Sequence, residues 1–386
     1  MSDYSFIEGQ LSADPTEIHY GQTSGFILSN LVLVVKEFLL QELGRFIYNY
    51  ETALRKLLVT NPGVPAQEVL FQGLDHQLWQ RPFKQAFQMP GLVRLDMSLD
   101  PLGIFEVQPR PGGLGIQTWF QNAFGYPMVF VDRFIEMARR RSGKENPRLL
   151  FLVTEDNPRY MAEMSYFIEE VRRRGVSCCV AMQGMGSSMV GQQFDAVYVR
   201  GRFDGPNKDI ETLLGSKLPF IVPPNHFFHS KATLAILKNV DGWETFIPPT
   251  QVIDQRTLRE IWDWKRKERR EWVLKPANDW GANDVDDGDK FSDGQWRRRV
   301  LESLSRGLDG KSPFVLQAKR TTNGNFVEFG DKPAKWILRA CFTLGDGTYD
   351  FAGGVWNARV GTIRIHGASD ALMGLAVSST DNRREV

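Results

Sequence analysis

The sequence predicts a mixed α/β fold with more than one lobe, and three observations lead to it. The middle third alternates short apolar runs with helical patterns, as a small parallel sheet requires. The thirds on either side carry strand-like runs separated by turn residues. An N-terminal stretch, Phe26 to Leu58, has helical apolar spacing and strong helix formers. With 386 residues, and roughly 150 per domain, two to three compact units are expected.

Each element follows in order. The N-terminal helical region ends at the punctuation Asn61-Pro62-Gly63. Leu92 to Met97 and Gly103 to Gln108 read as strands of a hairpin turned at Asp100-Pro101. Pro109-Arg-Pro-Gly-Gly-Leu-Gly115 and an aromatic-rich segment to Phe134 follow. A break at Ser142-Gly143-Lys144 opens the middle unit. There Arg148 to Thr154, Val176 to Met182, Phe194 to Arg200 and Pro219 to Val222 read as strands, and Met161 to Arg174 as a helix stopped by Gly175. Lys265-Arg-Lys-Glu-Arg-Arg270, beside Trp262 and Trp264, reads as a solvated helix end rather than a nucleic-acid patch. In the last third Trp272 to Lys275, Phe314 to Gln317, Trp336 to Thr343 and Gly353 to Val360 are strand candidates. Asn278 to Asp289, rich in Gly, Asn and Asp, reads as a mobile loop. The resulting units are 1–145, 146–250 and 251–386.

Composition narrows the function classes. Charge nearly cancels, 47 Lys and Arg against 46 Asp and Glu, so no global field favours nucleic acid. Three cysteines, Cys178, Cys179 and Cys341, cannot build a disulfide framework, which points to a reducing, cytoplasmic setting. The most apolar run, Phe26 to Leu40, is broken by Lys36 and Glu37, so no membrane span is expected. The chain opens Met-Ser-Asp-Tyr, without a basic leader. Oligomeric state is not legible.

Three motifs fail on spacing. Gly310-Lys311-Ser312 ends like a phosphate loop, but Ser305 stands where its first glycine belongs. Gly184-Met-Gly186 lacks a correctly spaced third glycine for a dinucleotide site, Gly191 coming two residues late. His226 and His229 have no partner ligands at zinc spacing.

The strongest constellation is Arg94-Leu-Asp96 with Glu106-Val-Gln108, continued by Pro109-Arg110-Pro111-Gly112-Gly113. Alternate residues of a hairpin share a face, so Arg94, Asp96, Glu106 and Gln108 can converge. Two carboxylates and an amide oxygen are hard ligands suited to Mg²⁺, and Arg94 beside them suits a phosphate or an acyl anion. A surface hairpin of alternating charge would look the same; the adjoining Arg-Pro-Gly-Gly turn favours a site. Trp272-Val-Leu-Lys275-Pro276, followed by the loop through Gly281, places a lysine at a strand end, where it can neutralise a nucleotide phosphate. Phe314-Val-Leu-Gln317-Ala-Lys319 offers a strand whose backbone can pair with an adenine edge.

Together these pieces carry a resemblance. Glu106-Val-Gln-Pro-Arg-Pro-Gly112 resembles the Glu-x-Asn-Pro-Arg-Pro-Gly metal strand of ATP-grasp ligases, and Arg94-Leu-Asp96 the Arg-x-Asp strand before it. Val273-Leu-Lys-Pro276 with its glycine loop is similar to that family's lysine strand and phosphate-covering loop. Here the metal half precedes the lysine half, which resembles the circularly permuted, glutathionylspermidine-synthetase-like members. Pro223-Pro-Asn225, Lys231 and Phe246-Ile-Pro-Pro-Thr250 resemble the segment such proteins place before the lysine strand.

The resemblance implies a permuted ATP-grasp fold. Its metal-binding half lies in 1–145, a small parallel lobe in 146–250, and the lysine and lid half in 251–386. It implies ATP and Mg²⁺ as cofactors, with Asp96, Glu106 and Gln108 on the metal and Arg94 and Arg339 at the reacting groups. Lys231, Lys275 and Gly281 would contact phosphates, and Gln317 to Lys319 the adenine, although Ala318 departs from the usual glutamate. Arg110, Asn357 and Arg359 would face substrate, and His366 is a further loop candidate. The implied activity is amide-bond formation between a small acid and an amine, amino-acid or peptide-like, through an acyl phosphate. A nucleotide-binding protein without catalysis and a small-molecule kinase remain as alternatives.

Overall fold

The computed structural model describes residues 3–8, 27–60, 88–153, 159–182, 184–189, 193–201, 208–216, 218–223, 229–237, 242–278, 284–309, 312–320, 326–329, 331–362 and 371–381. In chain order, β1 (Tyr4–Glu8), β2 (Ile27–Leu28) and β3 (Leu31–Val35) precede α1 (Glu37–Thr60). The hairpin β4 (Leu92–Leu99) and β5 (Leu102–Gln108) leads to α2 (Leu114–Ala123) and α3 (Val129–Ser142). Next come β6 (Arg148–Val153), α4 (Arg159–Arg173), β7 (Ser177–Met182), β8 (Ala196–Arg200), α5 (Lys208–Gly215) and α6 (Ala232–Ile236). Then follow β9 (Thr250–Val252), α7 (Gln255–Ile261), β10 (Trp272–Pro276), β11 (Asp286–Asp287) and α8 (Asp293–Leu308). The chain continues through β12 (Phe314–Ala318), β13 (Phe326–Phe329), β14 (Lys332–Leu344), β15 (Tyr349–Val360) and β16 (Leu372–Ser378).

Nine strands make one mixed sheet, in the order β1-β3-β16-β15-β14-β4-β5, with β13 beside β14 and β2 beside β16. Its partners are antiparallel except where β16 meets β2 and β3. One face is covered by α1, whose Leu39, Leu40, Leu43, Phe46, Ile47, Tyr50 and Leu54 recur at helical spacing. They pack with Leu95, Val107, Leu338, Ala340, Trp356 and Ala358 from the strands. Each leucine, isoleucine, valine or phenylalanine among them, fully buried, contributes about 1.5–3 kcal/mol.

The expectation of helix from Phe26 onward is corrected here, because the helix starts only at Glu37. Leu31–Val35 (LVLVV) is apolar on both faces and partly β-branched, and it lies between β1 and β16, where a strand buries it better than a helix.

Helix α1 lies close against β15. A Cβ on Gly44 would stand 2.0 Å from the Tyr349 carbonyl oxygen. Gly44→Ala should therefore cost at least about 1–3 kcal/mol by forcing backbone apart, read as a lower urea midpoint.

The middle unit is a parallel three-stranded sheet, β7-β6-β8, as its alternating pattern predicts. Pro219 to Val222 contributes an isolated bridge, Phe220 to Val197, rather than a strand. Helices α3 and α4 pack through Phe134, Phe167 and Val171 on one side, and α5 packs through Ile210 and Leu213 on the other. The third sheet, β11-β10-β12-β9, is antiparallel and rests on α8 through Leu274, Leu316, Phe314, Trp296 and Val300.

Strands of the last third divide between two sheets. β10 to β12 build the small one, while β13 to β16 join β4 and β5 in the large one. The basic run at 265–270 is only partly the solvated end expected. Arg269 is buried, bonded to Asp293 at 2.6 Å and to the carbonyls of Trp264 and Phe291. Among the described residues, no helix is long and apolar enough to cross a membrane.

Candidate functional site

Register places the charged residues of the large sheet together. Asp96 lies opposite Glu106 and Arg94 opposite Gln108, while Arg339 is the partner of Asp96 on the other side. Asn357 pairs with Ile337 and Arg359 with Lys335, both in step with Arg339. By strand alternation, all seven share the face away from α1. The hairpin that sequence period suggested is therefore one edge of a wider polar floor.

On that floor Arg94 holds Asp96 with two bonds, Nε to Oδ1 at 2.7 Å and NH2 to Oδ2 at 3.1 Å. Its third nitrogen donates to the Gly112 carbonyl at 3.0 Å, which fixes the Arg-Pro-Gly-Gly turn against the strand. Gly113 closes that turn at φ 89°, a left-handed conformation that favours glycine, and α2 starts there. Arg339 Nε stands 3.4 Å from Asp96 Oδ2. Burial pulls the Arg94 guanidinium down, and the charge and hydrogen bond of Asp96, together with Cys341 and Glu106, more than offset it, leaving the group above its ordinary value.

The small sheet supplies the second half. Lys275 on β10 reaches across to β5, donating to the Phe105 carbonyl at 3.1 Å and to Gln317 Oε1 at 2.6 Å. Gln317 is held by Thr250, whose hydroxyl accepts from Nε2 at 3.1 Å. Lys231, just before α6, is tied by its backbone to Ala277 and sends its ammonium to Glu106 Oε1 at 3.1 Å. Burial, then the nearby Lys231 charge, brings the Lys275 ammonium down to about 7, against the opposing pull of Glu106 and Asp96. The predicted metal strand and lysine strand thus meet, although they lie far apart in sequence.

Several expectations are corrected. β12 is bonded on both sides, to β10 and β9. The amides of Ala318 and Lys319 are bonded to the carbonyls of Pro249 and Glu271. Its backbone donors are therefore committed at the proposed adenine position, and what β12 brings to the site is the Gln317 side chain. Lys319 turns away, pairing with Asp287 and the Arg270 carbonyl. It lines a charged groove of about 590 Å³ with Arg266, Arg270, Asp289 and Lys335. Arg110 is fully buried and donates from Nε to His229 Nε2 at 2.8 Å.

Of the mobile loop expected at 278–289, residues 284–289 form ordered structure, and 279–283 lie outside the described residues. Asp286–Asp287 is a strand on β10, and Arg299, Arg306, Lys319 and Arg266 neutralise its run of aspartates. Gly281, His226, Gly310, Lys311 and His366 lie outside the described residues. Sequence reasoning missed His229 and Thr250 as partners. Thr250 had one signal, its place at the end of Phe246-Ile-Pro-Pro-Thr250.

Asp96, Glu106 and Gln108 could hold a metal. Among the described residues no group of three His, Cys, Asp or Glu side chains gathers, so those residue types offer only the Asp96 and Glu106 pair here, and Gln108, opposite Arg94 on the same face, could add an amide oxygen. Two adjacent carboxylates with an amide oxygen fit a hard, oxygen-preferring cation such as Mg²⁺. Asn357 is completely buried, with neither amide atom bonded, and it lies on the same face. Cys341 is buried beside Arg94, and burial pushes its thiol up to about 12, so no thiolate nucleophile stands there.

Among solved structures, the chain is similar to a glutathione synthetase-like effector from Globodera pallida in its apo form. The match has a TM-score of 0.55 at 13% identity and covers 95% of this chain and 98% of that one. The fold is glutathione synthetase-like. No family model and no curated protein matches the chain. On this glutathione synthetase-like fold, the β5 edge of the polar floor meets the small sheet through Lys275 of β10.

Proposed function

We propose that the protein is an ATP-dependent carboxylate–amine ligase, built on an ATP-grasp fold in circularly permuted order. One observation carries this reading: Arg94, Arg339, Lys231 and Lys275 gather around Asp96 and Glu106 in a buried site, with no activated nucleophile among them. The glutathione synthetase-like fold supports it.

Cations without a nucleophile suit phosphoryl transfer, which needs positioning and charge neutralisation rather than covalent help. An acid's carboxylate oxygen would attack the γ-phosphorus of ATP, breaking the bond to ADP and forming an acyl phosphate. The amine then attacks the acyl carbon, phosphate leaves, and the amine gives up its proton. Lys231 and Lys275 would hold phosphates of ATP, while Arg94 and Arg339 would hold the transferred phosphoryl group. Asp96, Glu106 and Gln108 would hold Mg²⁺, which when bound neutralises phosphate charge. Arg359 and Asn357 lie further along the same floor, towards the acid or amine. The substrates proposed are amino-acid or peptide-like, and the setting cytoplasmic, in keeping with three free thiols.

Incubation with Mg-ATP and paired amino acids should release ADP and phosphate only when both acid and amine are present, with a product lighter by one water than its two precursors. No ATP consumption across the panel, or formation of AMP and pyrophosphate, would rule this chemistry out. A phosphorylated acceptor instead of an amide would mark a kinase.

A further inference from the structure

The groups suited to phosphate and the groups suited to a cation already hold one another. Lys231 Nζ lies 3.1 Å from Glu106 Oε1, with the two side chains only 9% and 20% exposed. Asp96 is engaged by Arg94 at 2.7 Å and by Arg339 at 3.4 Å. Lys275 stands close enough to feel Lys231, Glu106 and Asp96 together. Four basic side chains thus surround two carboxylates at a site largely removed from water.

Consider each half of a metal–nucleotide complex alone. A divalent cation taking Glu106 and Asp96 would leave Lys231, Arg94 and Arg339 without those counter-charges, while adding positive charge among them. A polyphosphate taking Lys231 and the arginines would leave two buried carboxylates beside its own negative oxygens. Both states carry uncompensated charge in a poorly screened place, where it is expensive. When both arrive, every group keeps an opposite partner: cation on carboxylates, phosphates on lysine and arginine.

Resting on the nucleotide-binding reading above, we propose that this site works by ion-pair exchange. Glu106–Lys231 and Asp96–Arg94/Arg339 are the placeholders that make metal and nucleotide bind as one unit and exclude either alone. Glu106 and Lys231 then each have a restraining role besides their binding role: each suppresses the ligand that the other awaits.

A purely structural ion pair and an exchanging one differ in the sign of what mutation does. If the pair only supports the fold, Glu106→Gln and Lys231→Gln weaken every ligand. If it exchanges, each variant gains the half-ligand its lost partner used to oppose. The experiment is calorimetric titration of AMP-PNP in EDTA and in Mg²⁺, with titration of Mn²⁺ alone followed by loss of its free-ion EPR signal. It uses the full-length wild type, Glu106→Gln and Lys231→Gln. The wild type should bind AMP-PNP about tenfold to a hundredfold more tightly with Mg²⁺ than in EDTA. Glu106→Gln should bind AMP-PNP in EDTA about tenfold more tightly than wild type, and lose most of the Mg²⁺ enhancement. Lys231→Gln should bind Mn²⁺ alone about tenfold more tightly. Misfolding cannot imitate a gain, and the two variants probe the pair from opposite sides.

A variant with a normal melting transition that shows no gain overturns the exchange, and a wild type that binds Mg-AMP-PNP in that same experiment leaves the nucleotide reading standing. A wild type that binds no AMP-PNP under either condition overturns both.

Discussion

Asp96→Asn should destabilise the protein by about 3–5 kcal/mol, since it removes one member of a buried charge group and leaves the others in place. The carboxylate accepts two bonds from Arg94 and stands 3.4 Å from Arg339. An asparagine offers one acceptor and turns an NH₂ donor towards guanidinium donors, so the loss is geometric as well as electrostatic. With Arg94 released, its bond to the Gly112 carbonyl weakens too, and the turn that leads into α2 loosens. The urea midpoint should fall markedly, and under native conditions the proposed ligase turnover should drop on the order of a hundredfold or more. Glu106→Gln is the contrast. Its side chain is more exposed and its ion pair is with one lysine, so its urea midpoint should fall less than that of Asp96→Asn. Equal stability of the two variants would show that Asp96 does not anchor the arginines.

Lys275→Met is the second large effect, and it is seen through pH. In the folded chain the Lys275 ammonium is brought down to about 7 from its ordinary 10.5, by burial first and Lys231 second. Between those values the unfolded chain holds a proton that the folded one has released. Stability therefore rises with pH from about 7 to 10.5 and is lost again as pH falls back through 7. Phosphate has the opposite requirement, because only the ammonium form attracts it. Affinity for AMP-PNP should decline as pH rises above about 7, and nucleotide binding should take up a proton there. In Lys275→Met, affinity should be largely lost at every pH. The difference in unfolding free energy between wild type and variant should carry the 7-to-10.5 slope. A flat difference, or full nucleotide affinity in the methionine variant, would contradict this role.

What could be seen in the sequence was local. Arg94, Asp96, Glu106 and Gln108 lie on neighbouring strands of one hairpin, so strand alternation alone brings them to one face. Lys275 was visible as a polar end to an apolar strand. The parallel lobe was visible because its strands and helices alternate along the chain. Partners supplied from far away were not visible. β3 reads as the start of a helix until β16 is known to lie beside it. The run around Asp286 reads as a mobile loop until Arg299, Arg306 and Lys319 are known to neutralise it. Gln317 looked like a backbone contact because nothing nearby announces that Thr250 and Lys275 hold its side chain. Nor does anything near Arg110 in sequence announce that its Nε bonds to His229.

The parallel pairing of β3 with β16 also constrains how the protein is made. Leu33 meets Ala376 and Val34 meets Val377, so among the described residues β3 reaches the rest of the large sheet through a strand that is synthesised long after it. The same strand closes onto β15 through Val355 and Leu375. On a ribosome, the early strands and the apolar face of α1 must wait for this late strand before the large sheet can close. Contacts of such long sequence separation fold slowly, and the waiting surfaces are open to association with other chains. Part of the polar floor is late too: Arg339 lies on β14 and Asn357 on β15. A chain synthesised only as far as β12 therefore holds Asp96 and Glu106 but lacks the Arg339 that meets Asp96, so the complete charge cluster must wait for β14.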